Sequence, residues 1–244
     1  TSPDITERGY ELVFRTIGLD SMQGPVAANY LISQKPERVA VVHDKQQYGE
    51  GIATAVRDTL EEAGVEVAMF EGITAGAKDF SSLVTKLRQA DVDYVYYGGY
   101  HPELGLILRQ AQQADLDATF MGPEGVGNKD INTIAGEAAE GLLVTLPPSF
   151  DKKDENQELV QAFEEKGEDP SGPFVLTSYT AVQLIADGIE AAESTDPFDV
   201  AEALRAGTFQ TPIGTVEYDN KGDMESFEFV VYEWHSDGSK TPVN

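Results

Sequence analysis

The alternation of short apolar runs with amphipathic helical patterns is the feature that most constrains the fold of this chain. Residues 38–43 form a buried apolar run, and Ile52, Val56 and Leu60 follow at helical spacing until Gly64. The same pairing of a strand pattern with a helix pattern recurs up to residue 146 and is typical of βαβ units around a parallel sheet. The sequence therefore predicts an α/β fold.

The remaining elements follow from the same periodicities. Further strands are predicted over 65–70, 94–97, 119–121 and 141–146, and helices over 80–87, 104–114 and 131–139. After Pro147-Pro148 the pattern changes to helices over 157–166, 174–193 and 199–206, and to strands over 215–218 and 227–234. The block 38–146 is thus predicted to be one complete α/β unit, with the flanking segments forming parts of another.

Composition narrows the classes of function. The chain has 43 Asp and Glu against 17 Lys and Arg, a net charge of −26, which argues against a nucleic-acid partner because phosphate binding needs clustered cations. The acids are spread along the chain and indicate a solvated acidic surface, either that of a salt-adapted organism or that of an ordinary acidic secreted protein. Cysteine is absent, which excludes disulfides, thiolate catalysis and cysteine-ligated metal.

Three loops at the predicted sheet edge carry candidate binding residues. Open α/β sheets bind ligands beyond the carboxyl ends of their strands. Tyr48 follows the first strand, Tyr100 follows the third, and Glu124 lies in the glycine-rich loop after the fourth. Two aromatic rings and one carboxylate suit a small ligand with a cationic group and an apolar part. Each residue also has a purely structural interpretation, as a packing tyrosine or a solvated loop carboxylate.

Catalytic and phosphate-binding patterns are missing from the sequence. The 122–127 loop does not match GxGxxG, and no Lys-Ser/Thr pair follows it as a P-loop requires. GxSxG and HExxH are absent, and His43, His101 and His235 lie on three separate segments. We therefore predict no catalytic residues, no metal site and no cofactor.

Longer stretches of the sequence resemble one known family. They are His43 to Gly51, Gly72 to Gly76, Tyr96 to Tyr100, Phe120 to Asn128, Asp169 to Phe174, and Trp234-His235. Together they are similar to the branched-chain amino-acid-binding proteins that serve ABC importers, and the similarity runs from Thr1 to the end. The resemblance implies the type I periplasmic-binding fold, in which two doubly wound α/β lobes joined by hinge crossovers close on a ligand.

The resemblance also implies roles for individual residues. Tyr48, Tyr100 and Glu124 would lie on the cleft wall of the second lobe, where Glu124 would face the ligand ammonium. Phe174 would contact the aliphatic side chain from the first lobe, and Thr1 would hold the amino-acid head group. These roles agree with the chemistry of the side chains, since a carboxylate pairs with a cation and aromatic rings pack on methyl groups.

The sequence departs from the family pattern at its start, because the family has further residues before the position of Thr1. The family pattern places roughly 100 further residues there, including the first strands of lobe I and a serine-bearing loop for the ligand carboxylate. We therefore expect lobe I to be incomplete in this chain and to be made of 1–17 and 147–223. Lobe II is expected to comprise 18–146 and 227–244, with hinges near 18–21, 147–148 and 223–227. A companion N-terminal fragment is a possible partner.

The resemblance favours a non-enzymatic receptor that captures leucine, isoleucine or valine and delivers it to an ABC permease. Such a protein is periplasmic or extracytoplasmic and is secreted with a signal peptide, which this chain does not carry. Two alternatives stay open at this point. One is a ligand-sensing domain of a receptor or regulator, and the other is an enzyme on the same doubly wound architecture, since fold alone does not fix function.

Overall fold

A computed structural model describes residues 1–243 of the chain, which divide into two compact units. Unit 1 contains Thr1, Pro3–Leu19 and Pro147–Glu228, and unit 2 contains Ser2, Asp20–Leu146 and the segment from Phe229 onward. The boundaries at 146/147 coincide with the Pro147-Pro148 break in the sequence pattern. Those at 19/20 and 228/229 lie within a few residues of the predicted ones, and the assignment of the units to lobes stays a prediction.

The helices and strands are numbered in chain order. The helices are α1 (Asp20–Ser33), α2 (Gln47–Glu62), α3 (Ser81–Gln89), α4 (His101–Gln113), α5 (Asp130–Ala135), α6 (Gln157–Glu164), α7 (Val175–Ala192) and α8 (Pro197–Ala206). The strands are β1 (Val39–His43), β2 (Val67–Gly72), β3 (Tyr94–Gly98), β4 (Thr119–Gly122), β5 (Leu142–Leu146), β6 (Phe209–Thr211), β7 (Gly214–Val216), β8 (Val230–Trp234) and β9 (Lys240–Pro242). Short 3-10 turns include Pro3–Ile5 and Glu124–Val126.

Unit 2 is built on a sheet that has seven strands in the described residues, in the order β2-β1-β3-β4-β5-β8-β9. Strands β1 to β5 pair in parallel, β8 pairs antiparallel with β5, and β9 pairs antiparallel with β8. Parallel strands buried on both faces need apolar residues at nearly every position, which is why β1 and β5 are apolar except at His43 and Thr145. The prediction of an α/β fold is confirmed.

Helices cover both faces of this sheet. Leucines and isoleucines of α3, α4 and α5 pack on one face, where they meet Val95 and Tyr97 of β3. Apolar residues of α1 and α2 pack on the other face, where they meet Tyr96 of the same strand. Because side chains alternate along a strand, the two neighbouring tyrosines contribute to different layers.

The structure differs from the sequence-based elements at several places. Helix α1 was not predicted, because Pro25 interrupts its pattern and proline disfavours helix interiors. Strands β6 and β9 are only three residues long and give too short an alternation to be recognised. The predicted strand over 65–70 is shifted to Val67–Gly72, and those over 215–218 and 227–234 are shorter, at Gly214–Val216 and Val230–Trp234.

Unit 1 combines helices α6 to α8 with the β6–β7 hairpin. Its apolar cluster is formed by buried side chains from the helices, the hairpin and the segments between them: Phe150, Leu176, Leu184, Leu204, Ile213, Val216, Tyr218 and Met224. The described residues of this unit contain a sheet of two strands only. The expectation that 1–17 and 147–223 form an incomplete lobe I stays a prediction.

One apolar side of α7 is left exposed. The exposed fractions are 42% for Tyr179, 70% for Val182, 56% for Ile185 and 37% for Ile189, at successive turns of the helix. We call these four residues the α7 stripe. Helices of globular proteins normally bury such a stripe against another element.

In the described part of the chain, no helix combines the length and hydrophobicity that crossing a membrane requires.

A buried ion pair holds the first segment of unit 1 in place. Arg15 Nε lies 2.6 Å from Asp223 Oδ1, and Thr6 Oγ1 donates to the same oxygen at 2.7 Å. The backbone N–H of Arg15 also donates to the Gly222 carbonyl at 3.0 Å. Gly222 has φ +87°, and a Cβ at this position would collide with the Val13 carbonyl, so the turn requires glycine.

Replacing Arg15 by methionine should destabilise unit 1 by about 3 kcal/mol, because the buried Asp223 carboxylate then keeps only the partly exposed Lys221 ammonium, 3.7 Å from its other oxygen. Lys86→Met is a matched control, since the Lys86–Glu71 pair is largely exposed and should contribute about 1 kcal/mol or less. Urea unfolding followed by circular dichroism measures both variants. Equal effects of the two substitutions would contradict the structural role of the Arg15 pair.

Candidate functional site

Three loops meet at the carboxyl edge of the parallel strands in unit 2. Tyr48 lies in the first turn of α2, Tyr100 precedes α4, and Glu124 begins the 3-10 turn after β4. Each loop follows a strand of the β1-β3-β4 core, so the parallel register brings them to one edge. The structure thus places together the three residues predicted for this wall. We call Tyr48, Tyr100 and Glu124 the binding wall.

The two tyrosine rings and the Glu124 turn are in close contact. The ring centroids of Tyr48 and Tyr100 are 5.3 Å apart, with a tilt of 39°. The Gly125 N–H donates to the Tyr48 hydroxyl oxygen at 3.2 Å. A Cβ on Gly125 would lie 3.0 Å from Tyr48 Cε1, 3.2 Å from Tyr100 Cδ1 and 2.7 Å from the Gly99 carbonyl oxygen. Glycine is therefore required at 125 for the three loops to approach one another.

The loop before α2 is fixed by a buried carboxylate. Asp44 follows β1, is 2% exposed, and accepts a hydrogen bond from the Gln46 N–H at 2.9 Å. This bond satisfies one of the backbone donors that are left unpaired at a helix start. Burial raises the pKa of Asp44. The bond fixes the backbone ahead of α2 and so helps set the position of Tyr48 in the first turn of that helix.

The wall is negatively charged and its tyrosines stay neutral. Burial, followed by the negative charge of Glu124, raises the pKa of Tyr48 well above its ordinary value. Burial, with smaller contributions from the charges of Asp44, Asp20 and Glu124, raises the pKa of Tyr100. Both hydroxyls therefore remain hydrogen-bond donors and acceptors at neutral pH. Glu124 is 4% exposed, whereas Tyr100 is 46% exposed.

This arrangement suits a cation attached to an apolar group. A desolvated carboxylate favours a cationic partner, because a buried charge is stabilised by pairing. Aromatic faces favour aliphatic side chains and also attract ammonium groups. The same negative charge would repel a phosphate group.

The two other predicted site residues belong to unit 1. Thr1 is half-buried, and Phe174 is 45% exposed at the residue before α7. The Phe174 carbonyl accepts a hydrogen bond from Thr177 Oγ1 at 3.0 Å, which fixes the start of the helix. Their roles toward a ligand stay predictions.

The histidines have structural contacts. His43 is 5% exposed, stacks on Phe70 with centroids 5.0 Å apart, and its Nδ1 accepts from the Lys45 N–H at 3.2 Å. Its pKa is lowered, chiefly by burial. His101 is half-buried at the start of α4, and His235 Nδ1 lies 3.0 Å from Glu140 Oε1.

One group of potential metal ligands occurs among the described residues. Ligand atoms of Glu140, Glu233 and His235 lie within 4.8 Å of one another. Glu140 already contacts His235 Nδ1 and accepts from the Ser236 N–H at 2.7 Å. The hydrogen bond to Glu140 raises the pKa of His235. We therefore interpret the group as a cluster of hydrogen-bonded side chains near the surface.

Sequence reasoning missed the buried polar residues that lie behind the wall. Asp20 and Gln23, in the first turns of α1, are 5% and 0% exposed. Tyr96 of β3 is fully buried on the same side of the sheet. The period-two alternation of β3 could have assigned Tyr96 to the face opposite Val95 and Tyr97, but the α1 residues carried no signal because α1 itself was not predicted.

Comparison with known proteins gives the family. The family model described as "Periplasmic binding protein" matches residues 1–239. The leucine-, isoleucine-, valine-, threonine- and alanine-binding protein of Pseudomonas aeruginosa is 59% identical over 244 residues, which are 100% of this chain and 65% of the relative. The Leu/Ile/Val-binding protein of Escherichia coli K12 is 52% identical over 242 residues, covering 99% of this chain and 65% of the relative.

A solved structure agrees with these relatives. The leucine-binding protein LivK from Thermotoga maritima superposes with a TM-score of 0.91 and 28% identity, covering 100% of this chain and 70% of that one. The chain spans about two thirds of the length of the curated relatives that it matches, 65% in both cases. Its fold is that of the type I periplasmic-binding proteins, and the chain belongs to the periplasmic binding protein family.

Proposed function

We propose that this protein is an extracytoplasmic solute-binding receptor for a neutral aliphatic amino acid, namely leucine, isoleucine or valine. It holds the amino acid without changing it chemically and delivers it to an ABC permease. The observation that carries this proposal is the binding wall, in which a nearly buried carboxylate, Glu124, lies beside two tyrosine rings. An α-amino acid with an aliphatic side chain offers the cation and the methyl groups that such a wall selects.

The relatives support the same ligand class. Those from Pseudomonas aeruginosa and Escherichia coli carry names that specify leucine, isoleucine and valine binding. A difference of one methylene in an apolar pocket is worth about 1–3 kcal/mol. We therefore expect all three amino acids to bind, with affinities that differ by about 10- to 200-fold at most.

The relatives contain a further part that does not align with this chain, and the test of binding has to supply it. By the family resemblance, that part precedes Thr1 and includes the loop for the ligand carboxylate. We propose it as the companion of this chain. The test protein is therefore residues 1–244 fused behind the part of the Pseudomonas aeruginosa relative that the match leaves uncovered. We call this fusion the complemented protein.

Thermal unfolding of the complemented protein tests the proposal. A ligand that binds only the folded state raises the melting temperature by mass action, by an amount equivalent to about 2.7 kcal/mol at 100 times its dissociation constant. Leucine, isoleucine and valine should each raise the melting temperature, and arabinose and putrescine should not. A shift with the sugar or the polyamine and none with the three amino acids would overturn the proposal.

A further inference from the structure

Two glycines bring the backbone of helix α2 into direct contact with the end of strand β3. Gly49 is buried in the first turn of α2, and Gly98 is the last residue of β3. A Cβ on Gly98 would collide with the Gly49 carbonyl oxygen. A Cβ on Gly49 would collide with the Asp44 carboxylate and would lie 2.6 Å from the Gly98 carbonyl oxygen. A side chain at either glycine would thus force the helix and the strand apart. We call this contact between Gly49 and Gly98 the glycine junction.

The local preference of the helix does not account for a glycine at position 49. Glycine in a helix is less favourable than alanine, because its backbone loses more conformational freedom on folding. Helix α2 also contains Gly51, which is exposed and where a Cβ would meet no described atom within 4 Å. Alanine would therefore fit at Gly51 but not at Gly49. The missing side chain at Gly49 has a packing reason that does not apply two residues later.

The glycine junction adjoins both tyrosines of the binding wall. Tyr48 immediately precedes Gly49, and Tyr100 follows Gly98 by two residues. The Asp44 N–H donates to the Gly98 carbonyl at 3.1 Å, so the segment that leads into α2 is also tied to the end of β3. The two ring centroids are 5.3 Å apart. Because one ring is carried by the helix and the other by the loop after the strand, the closeness of helix and strand sets the spacing of the rings.

We propose that Gly49 is a positioning residue, which sets the spacing of the Tyr48 and Tyr100 rings and thereby the size of the aliphatic side chain that the binding wall accepts. This inference rests on the proposed function. A side chain at position 49 moves the first turn of α2 away from Gly98 and carries Tyr48 away from Tyr100. A wider wall loses contacts with a leucine side chain and makes room for a larger one, because dispersion attraction falls steeply with separation.

The substitution Gly49→Ala in the complemented protein tests this role, with Gly51→Ala as the matched control. Leucine affinity is measured by calorimetry. Placing an extra methyl group in a tight contact typically carries a strain equivalent to about a tenfold change in an equilibrium constant. Leucine binding requires the rings to return to their close spacing, so Gly49→Ala should weaken it about tenfold. Gly51→Ala should leave leucine affinity unchanged and should not lower the melting temperature, since alanine is the better helix former.

Selectivity for ligand size separates positioning from a loss of stability. Phenylalanine affinity is measured for each variant by displacement of leucine. A fold that is only less stable weakens both ligands by the same factor, because both bind the same folded state. A wider wall penalises leucine and not the larger ligand. The ratio of the phenylalanine to the leucine dissociation constant should therefore fall about tenfold in Gly49→Ala and stay constant in Gly51→Ala.

A second substitution, Gly98→Ala, opens the glycine junction from the side of the strand. Its Cβ would collide with the Gly49 carbonyl oxygen, so the helix and the strand separate as they do in Gly49→Ala. The ratio of the two dissociation constants should fall in the same direction. A fall in Gly49→Ala and in Gly98→Ala, but not in Gly51→Ala, supports the proposal.

The contrary outcomes are distinct. Unchanged leucine affinity in Gly49→Ala, equal losses for both ligands, or no displacement of leucine by phenylalanine from any variant would overturn the positioning role. Failure of both Gly49→Ala and Gly98→Ala to fold would also overturn it, since the glycine junction would then serve folding and not the spacing of the rings. If the unsubstituted complemented protein itself does not bind leucine, the proposed function fails and this inference fails with it.

Discussion

Replacing Glu124 by glutamine should lower the leucine affinity of the complemented protein by about 30-fold or more. Glu124 is 4% exposed, so it is largely desolvated before the ligand arrives. Removing one partner of a desolvated charge pair typically costs about 2–5 kcal/mol. The glutamine amide keeps the shape of the side chain but cannot neutralise an ammonium group.

The matched control for this substitution is Glu50→Gln. Glu50 is an exposed acid in the first turn of α2, two residues from Tyr48, so it changes the net charge equally without removing a buried carboxylate. We expect less than about a threefold change in affinity, since exposed charges are screened by water and salt. Calorimetric titration measures both variants, and an unchanged dissociation constant for Glu124→Gln would show that the Glu124 carboxylate does not pair with the ligand.

The second large effect is expected from the companion segment. Residues 1–244 alone should bind leucine on the order of 100-fold more weakly than the complemented protein, because the ligand carboxylate would lack its partners. The α7 stripe points to the same dependence, since Val182 and Ile185 are 70% and 56% exposed. Exposed apolar surface of this kind promotes association and swapping, so the 244-residue chain should also form oligomers.

Supplying the uncovered part of the Pseudomonas aeruginosa relative as a separate polypeptide should restore tight binding and give a monodisperse sample. Titration with leucine and light scattering measure the two effects. The control is the same segment added to the Glu124→Gln variant, which should become monodisperse without regaining affinity. Micromolar or tighter binding by a monomer of residues 1–244 alone would contradict this prediction.

The parallel core could be predicted from the sequence because its physical signal is strong. Strands β1, β3 and β5 are largely buried on both faces and appear as short runs of mainly apolar residues, whereas α2 and α4 have clear 3.6-residue periodicity. Helix α1 could not be found in the same way. Its buried face consists largely of small and polar residues, and Pro25 lies inside it. Tertiary packing against α2 compensates for this weak local preference.

The residues of the binding wall could be predicted from the sequence because of the topology of the sheet. Parallel strands direct the loops after β1, β3 and β4 to one edge, so Tyr48, Tyr100 and Glu124 could be placed together before any coordinates were known. Tyr96 could be assigned to a strand and a face by alternation. That α2 meets the end of this strand through Gly49 depends on tertiary packing, and only the three-dimensional arrangement reveals it.

Binding calorimetry of the complemented protein is the most direct test of the account. Leucine, isoleucine and valine should each give a saturable heat with one site per molecule, and the amino acid recovered afterwards should be chemically unchanged. Arabinose and putrescine should give no heat under the same conditions. Absence of heat with all three amino acids, together with saturable binding of the sugar or the polyamine, would contradict the assignment of the Glu124 wall to an aliphatic amino acid.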